Sequence, residues 1–290
     1  MSLLSKKAKG FLEAFKDAFS KLQVEISPEH VHHLRTAIRR IETLLSYAGH
    51  ISGKKQKLSK KQKKMLEELA SLRKRAGRVR DIDIQLRLLN GLANGSAAAD
   101  RHKLAHRMTF RRESLVGRLL DSLKKLEKEK LLPHLERAVE EIRSNGDGDR
   151  EKIQSPLIAA KSSLEEIADR FSGRQLKPRH LHALRIQLKG VRYLAELDAD
   201  SHDRQSLLEA ARAVQDALGE WHDWDTLLRT AEKQFEDRVN CPLLVEIRSL
   251  LAAKQIAATM AAAGLLASSE QSTGRQEAQI GPAPILALRV

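Results

Sequence analysis

Two segments of this chain place histidine, arginine and lysine at matching positions 150 residues apart. Residues 28–41 read PEHVHHLRTAIRRI and residues 178–191 read PRHLHALRIQLKGV. Pro28, His30, His32, Leu34, Arg35, Arg39 and Ile41 align with Pro178, His180, His182, Leu184, Arg185, Lys189 and Val191. A second pair of blocks, at an offset of 142, sets Gly77, Asp81 and Asp83 against Gly219, Asp223 and Asp225. Cationic rows interleaved with imidazole suit the multivalent holding of a polyanion. Each repeating unit offers negative oxygens, and an arginine can grip two at once.

The spacing decides which residues share a face. At about 100° per residue, His32, Arg35 and Arg39 fall within a sector of about 60°, beside the apolar stripe Val31, Leu34, Ile38, Ile41 and Leu45. Arg40 extends the first row. His182, Arg185, Lys189 and Arg192 repeat it beside Leu181, Leu184, Leu188 and Val191. Arg73, Arg80 and Arg87 stand seven apart, with Gly77 leaving space between them; Gln215, His222 and Arg229 are the counterparts. Arg107, Arg111 and Arg118 form a further row. Solubility alone would scatter both signs over an outward face, whereas these rows border the buried one. The competing reading pairs them internally with Asp81, Asp83, Asp223 and Asp225, and for the aspartates a structural role orienting Arg and Lys is preferred.

Helices must carry these rows. Apolar residues recur at three and four positions throughout, with no sustained period-two alternation, so the fold class is all-α. Helices are expected near 3–22, 28–48, 57–92, 98–130, 134–143, 156–171, 178–198, 204–234 and 242–266. Ser27-Pro28 and Ser155-Pro156 supply a capping hydroxyl followed by proline at the first helical position. Asn145-Gly-Asp-Gly-Asp149 reads as a linker. The expected organisation is one domain over residues 1–262, with halves 1–143 and 154–262 joined by 144–153, then a flexible tail over 263–290. The halves would be pseudo-symmetric bundles around a basic cleft or pore, the product of an internal duplication.

Charge is distributed unevenly along this plan. Of 52 Lys and Arg and 38 Asp and Glu, residues 1–143 hold 33 and 17, a net of +16, which leaves the remainder slightly acidic. Such a field favours a polyanionic partner. Aromatics are only 3% of the chain, too sparse for base-stacking platforms, so nucleic acid is expected to bind only non-specifically. The apolar runs are short and interrupted, which predicts no membrane span, and the lone Cys241 ties nothing to an oxidising compartment. A cytoplasmic location is the expectation.

Catalysis is disfavoured, because phosphoryl transfer needs a cation and oriented carboxylates, whereas Asp81 and Asp83, like Asp223 and Asp225, diverge by about 200° on a helix. Gly49–Lys54 looks like a phosphate loop but is one residue short. The alternatives are a polyphosphate-processing enzyme and divalent-metal binding by His30, His32, His33, His180 and His182, although residues two apart on a helix do not converge. No cofactor is called for. Trp221 and Trp224, flanking His222, read as core residues. The lysine run Lys54–Lys64 reads as a solvated loop and first helical turn.

The blocks resemble the CHAD family, the conserved histidine α-helical domain. His32, Arg35, Arg39 and Arg40 match its first pattern, and His182, Arg185, Lys189 and Arg192 match the second. The likeness spans most of residues 5–262. It implies two helical bundles related by pseudo-symmetry, a basic central cavity binding inorganic polyphosphate, and association with polyphosphate granules in some members. The second copy departs from the first: Arg192 stands opposite Glu42, Gly190 opposite Arg40, and Gln215 opposite Arg73. A weaker contribution from the second half is the expectation. No strands with the Glu-x-Glu-x-Lys signature of a triphosphate-tunnel domain are found.

Overall fold

The computed structural model describes residues 3–51, 60–92, 95–145, 155–236 and 241–273. Among them there are nine helices and no strands. They are α1 (Leu3–Val24), α2 (Pro28–Ile51), α3 (Lys60–Asn90), α4 (Ala98–Lys128), α5 (Leu131–Asn145), α6 (Pro156–Phe171), α7 (Pro178–Ala195), α8 (His202–Gln234) and α9 (Pro242–Thr273).

The helix starts follow the local chemistry. The His30 amide donates to Ser27 Oγ at 3.1 Å, and the Leu157 amide donates to Ser155 Oγ at 3.2 Å. Each serine thus satisfies one of the amides left without an intrahelical partner. The Ser155 hydroxyl also hydrogen-bonds to Asp198, fastening the start of α6 to the segment just after α7.

Packing then sets the frame. The apolar stripe of α2, Val31, Leu34, Ile38 and Ile41, is fully buried, and so are Leu181, Leu184 and Leu188 of α7. In the first half α2 packs against α1 and α3; in the second, α7 packs against α6 and α8. The halves meet where α2 lies against α7 and α3 against α8. Buried apolar side chains from all nine helices form a continuous core. Burying the stripes on these four helices leaves the bordering cationic rows at the junction of the halves.

Some boundaries differ from the sequence expectation. The tail expected over 263–290 does not begin at 263: α9 continues to Thr273, because Ala262, Leu265 and Leu266 pack into the core and hold the helix past the predicted end. The remainder, 274–290, lies outside the described residues. So do 146–154, most of the expected linker; α5 takes up its first two positions by running to Asn145. Gly49 belongs to α2, while Lys54–Ser59 lie outside the described residues and Lys60 opens α3. By length and hydropathy, Pro242–Ser268 also reaches the range of a membrane-spanning helix, although its apolar runs are short and interrupted. One side of it is core: Leu243, Ile247, Ala258 and Ala262 are fully buried, whereas Val245, Ile256 and Met260 are exposed.

Candidate functional site

The repeated histidines divide into two kinds. His30 Nδ1 lies 3.0 Å from the carbonyl oxygen of Glu25, and His180 Nδ1 lies 3.1 Å from that of Gln175, five residues upstream in each case. These two rings fasten the loops that enter α2 and α7. His32 and His182, two residues further on, are exposed. The His182 ring stands 5.3 Å, centroid to centroid, from that of His222 on α8.

Arg35 is seated against α3. Its Nη1 donates to the carbonyl of Arg73 at 3.2 Å and fills the space above Gly77 that a β-carbon would need. Arg73 itself is buried and ion-paired with the buried Glu42, Nε to carboxylate, at 2.9 Å. In the second half, Arg192 Nη1 donates to Gln215 Oε1 at 3.1 Å. Positions 42 and 73 therefore touch in one half, and 192 and 215 touch in the other, with the cation on opposite members. Replacing Glu42 by its counterpart Arg192, and Arg73 by Gln215, exchanges a neutral pair for a cationic one. The second half is therefore not the poorer in charge at these positions.

The remaining cations act on one another across the junction. Burial, then Arg185, Arg35, Arg39 and Arg192, holds the Lys189 ammonium down to about 7. Arg35 is lowered to about 10, chiefly by burial, with Asp81 opposing and Arg80 and Arg39 adding to the fall. Arg39 and Arg185 are lowered too, first by burial; Arg39 then feels Arg73, while Asp223 and Asp81 partly hold Arg185 up. Enclosure, then the facing Arg80 and further cations, takes His32 to about 4. His222 falls to about 3 through burial and then Arg185, and His182 falls for the same reasons. Unpaired imidazole in such surroundings loses its proton more readily, since both desolvation and like charge penalise the cation.

Two carboxylates face this group. Asp81 on α3 and Asp223 on α8 are raised by burial despite the pull of Arg185, Arg80 and Lys189, and Asp81 raises Asp223 further. Their sequence neighbours turn away, as the 200° divergence requires. Asp83 is ion-paired with Arg112, and Asp225 with Arg229. The internal pairing of the rows considered from the sequence thus holds for Asp225, which takes Arg229, whereas Asp83 takes Arg112 from outside the rows. It leaves the other two to orient Arg35, Arg80, Arg185 and Lys189.

Several expected site residues stand elsewhere. Arg40 is ion-paired with Glu196 at 2.8 Å, and Glu196 also meets Arg192 at 3.5 Å, so this carboxylate clamps α2 to the end of α7. Arg73 is committed to Glu42. Arg87 is exposed near the end of α3, and Arg107, Arg111 and Arg118 are exposed along α4, which packs chiefly on α3. None of these four is among the leading charges felt at Arg35, Arg185 or Lys189. The α4 row thus lies exposed on a helix that packs chiefly on α3, apart from the α2–α7 and α3–α8 contacts where the central group sits. Arg229 is exposed and paired with Asp225, yet its charge reaches His182 and His222. Glu196 and Arg112 went unnoticed in the sequence, since nothing in their spacing marks a partner 156 or 29 residues away. Trp221 and Trp224 are buried, as expected of core residues.

Comparison with known proteins bears on the family and the fold. The profile of the CHAD domain matches residues 10–232. Among solved structures, the chain is similar to the crystal structure of the CHAD domain from the plant Ricinus communis, with a TM-score of 0.69 and 20% identity over 91% of each chain. At that identity the likeness shows the all-helical fold. No curated protein matches the chain. With the profile covering most of its length and both cationic blocks, this chain belongs to the CHAD-domain family.

Proposed function

We propose that this protein binds inorganic polyphosphate in a basic recess between α2–α3 and α7–α8, and that it holds the polymer without turning it over. The observation that carries this reading is the mutual electrostatic influence of Arg35, Arg39 and Arg80 with Arg185 and Lys189, opposed by Asp81, Asp223 and, at Arg39, Glu42. A cluster of like charges costs folding energy, and a polyanion offsets that cost. Arg185 Nε and His222 Nδ1 are buried and have no hydrogen-bond partner among the described residues, which leaves two polar atoms for a ligand to meet. His32, Asp81 and His182 are exposed to solvent, yet enclosure dominates their titration.

Membership of the CHAD family adds weight, since that family is generally linked to polyphosphate binding. The matching contacts of His30 and His180, and of positions 42–73 and 192–215, favour an internal duplication. A cytoplasmic location and recruitment to polyphosphate granules belong to the same proposal. The second reading, a divalent transition metal, has only the neighbouring rings of His182 and His222 behind it, since among the described residues no three His, Cys, Asp or Glu are grouped to hold one.

Calorimetric titration tests the proposal. Long-chain polyphosphate, duplex DNA and single-stranded RNA are compared at equal phosphate concentration and about 150 mM salt, where long-range attraction is largely screened. Tight binding of polyphosphate alone is expected. Equal binding of all three reduces the protein to a general polyanion binder, and zinc binding without polyphosphate binding selects the metal reading.

A further inference from the structure

We infer that the outer face of α9 is the interface of a weak, reversible homodimer, in which α9 of one copy lies antiparallel against α9 of a second about a twofold axis at Ile256. The dimer does not depend on what the basic recess binds.

In a chain of which 31% is charged, one exposed side of α9 carries no charge over about 33 Å. Val245, Ile256 and Met260 are 61%, 63% and 70% exposed. At about 100° per residue they fall within a sector of about 60°. Ser249, Ala252, Ala263 and Ala267 are exposed as well and complete the same side. From Val245 to Ala267 the steps along this row run four, three, four, four, three and four. That is a repeat of eleven residues, which keeps the row close to parallel with the helix axis. A contiguous exposed apolar row of this length marks a contact surface.

The row selects its own occupant. Its spacing reads the same in both directions about Ile256, so a second α9 laid antiparallel sets every member opposite another member. Val245 meets Ala267, Ser249 meets Ala263 and Met260 meets Ala252, each larger side chain facing a smaller one, while Ile256 meets its copy on the axis. Self-complementarity of this kind is what a twofold interface requires. Charge favours the same direction. Glu246, Arg248 and Lys254 flank the row in its first half, and the antiparallel pair brings them level with Leu266, Gly264 and Ala258, whereas a parallel pair would set Arg248 against Arg248. Arg248 and Lys254 are also paired already, with Glu232 and Glu220 of α8, at 2.8 and 2.7 Å. A bilayer is the poorer occupant, since the row offers neither an aromatic ring nor a lysine or arginine to the headgroups. Area sets the strength: a row about 33 Å long and about 10 Å wide covers about 350 Å² of each copy, well short of the roughly 800 Å² per partner in a stable complex.

Sedimentation velocity of the full-length protein at about 150 mM salt is the test. Between about 2 and about 200 µM protein the weight-average mass is expected to climb from that of one chain by about half or more, as a dissociation constant in the tens of micromolar gives. Ile256→Lys sets two like charges on the axis and is expected to remain a single chain throughout, with helical circular dichroism unchanged because the side chain is exposed. Ala252→Glu and Met260→Lys are each expected to weaken association. An equimolar mixture of the two is expected to recover it, because position 252 of one copy faces position 260 of the other. Wild-type protein that stays a single chain at the highest concentration, or association that Ile256→Lys leaves intact, would overturn the dimer. Failure of the mixture to recover would overturn the antiparallel register. A single wild-type chain that floats with phosphatidylcholine vesicles, and ceases to in Ile256→Lys, would give the row to a bilayer instead.

Discussion

The guanidinium of Arg35 on α2 occupies the space that a β-carbon on Gly77 of α3 would fill, and from there donates to the Arg73 carbonyl. Gly219, the residue at the matching place in α8, has open space above it. The same glycine in the two sequence blocks thus has different surroundings. At Gly77 it seats a cation of the central group; at Gly219 it seats nothing.

That difference separates two substitutions. Gly219→Ala adds a better helix former without a clash and is expected to stabilise the protein by up to about 1 kcal/mol, with polyphosphate affinity unchanged. Gly77→Ala has the same propensity gain but must push Arg35 off α3, so the fold persists and affinity falls. Thermal melting together with calorimetry checks both, and equal affinities in the two variants would remove Arg35's seat from the binding account.

The exchanged pairs predict strong coupling. Arg73→Gln leaves Glu42 buried without its ion partner, and Glu42→Arg sets two arginines against each other; each is expected to cost about 3–5 kcal/mol. The double substitution rebuilds the Arg192–Gln215 arrangement of the second half and is expected to recover most of the loss. Urea unfolding of the four proteins forms the cycle. Additive losses would mean that the two pairs are not interchangeable.

Removing the cluster separates function from stability. Replacing Arg35, Arg39, Arg185 and Lys189 together by alanine is expected to abolish polyphosphate binding while helical circular dichroism is preserved and the melting temperature does not fall. Like charges held together by the fold repel, so their loss relieves the free protein. Wild-type affinity in this variant would overturn the site.

Titration gives two signs. His32 and His222 are depressed from 6.5 to about 4 and about 3, so between these limits the unfolded chain binds protons that the folded chain refuses. Their contribution to stability is intact above about 6.5 and is lost as pH falls through the folded values. A bound polyanion reverses the preference, favouring protonated His32, His182, His222 and Lys189. Polyphosphate affinity should therefore rise from pH 8 to pH 6, with net proton uptake on binding near pH 7.5, measured by calorimetry in buffers of different ionisation heat. Binding without proton uptake would place the polymer away from Lys189.

The sequence by itself determined the helices, the starts at Pro28 and Pro156 and the identity of the cationic rows. Those features depend on local periodicity and on capping groups a few residues away, as at Ser27 and Ser155. It could not decide which rows meet. Arg107, Arg111 and Arg118 have the same seven- and four-residue regularity as the central arginines, but α4 carries them to an outer face. Nor could it assign Arg40 and Arg73 to Glu196 and Glu42, or bring Asp81 opposite Asp223. Those relationships join helices far apart in the chain. They arise only when burial of the apolar stripes brings α2 against α7 and α3 against α8, and the resulting enclosure, rather than residue type, holds Lys189 near neutrality.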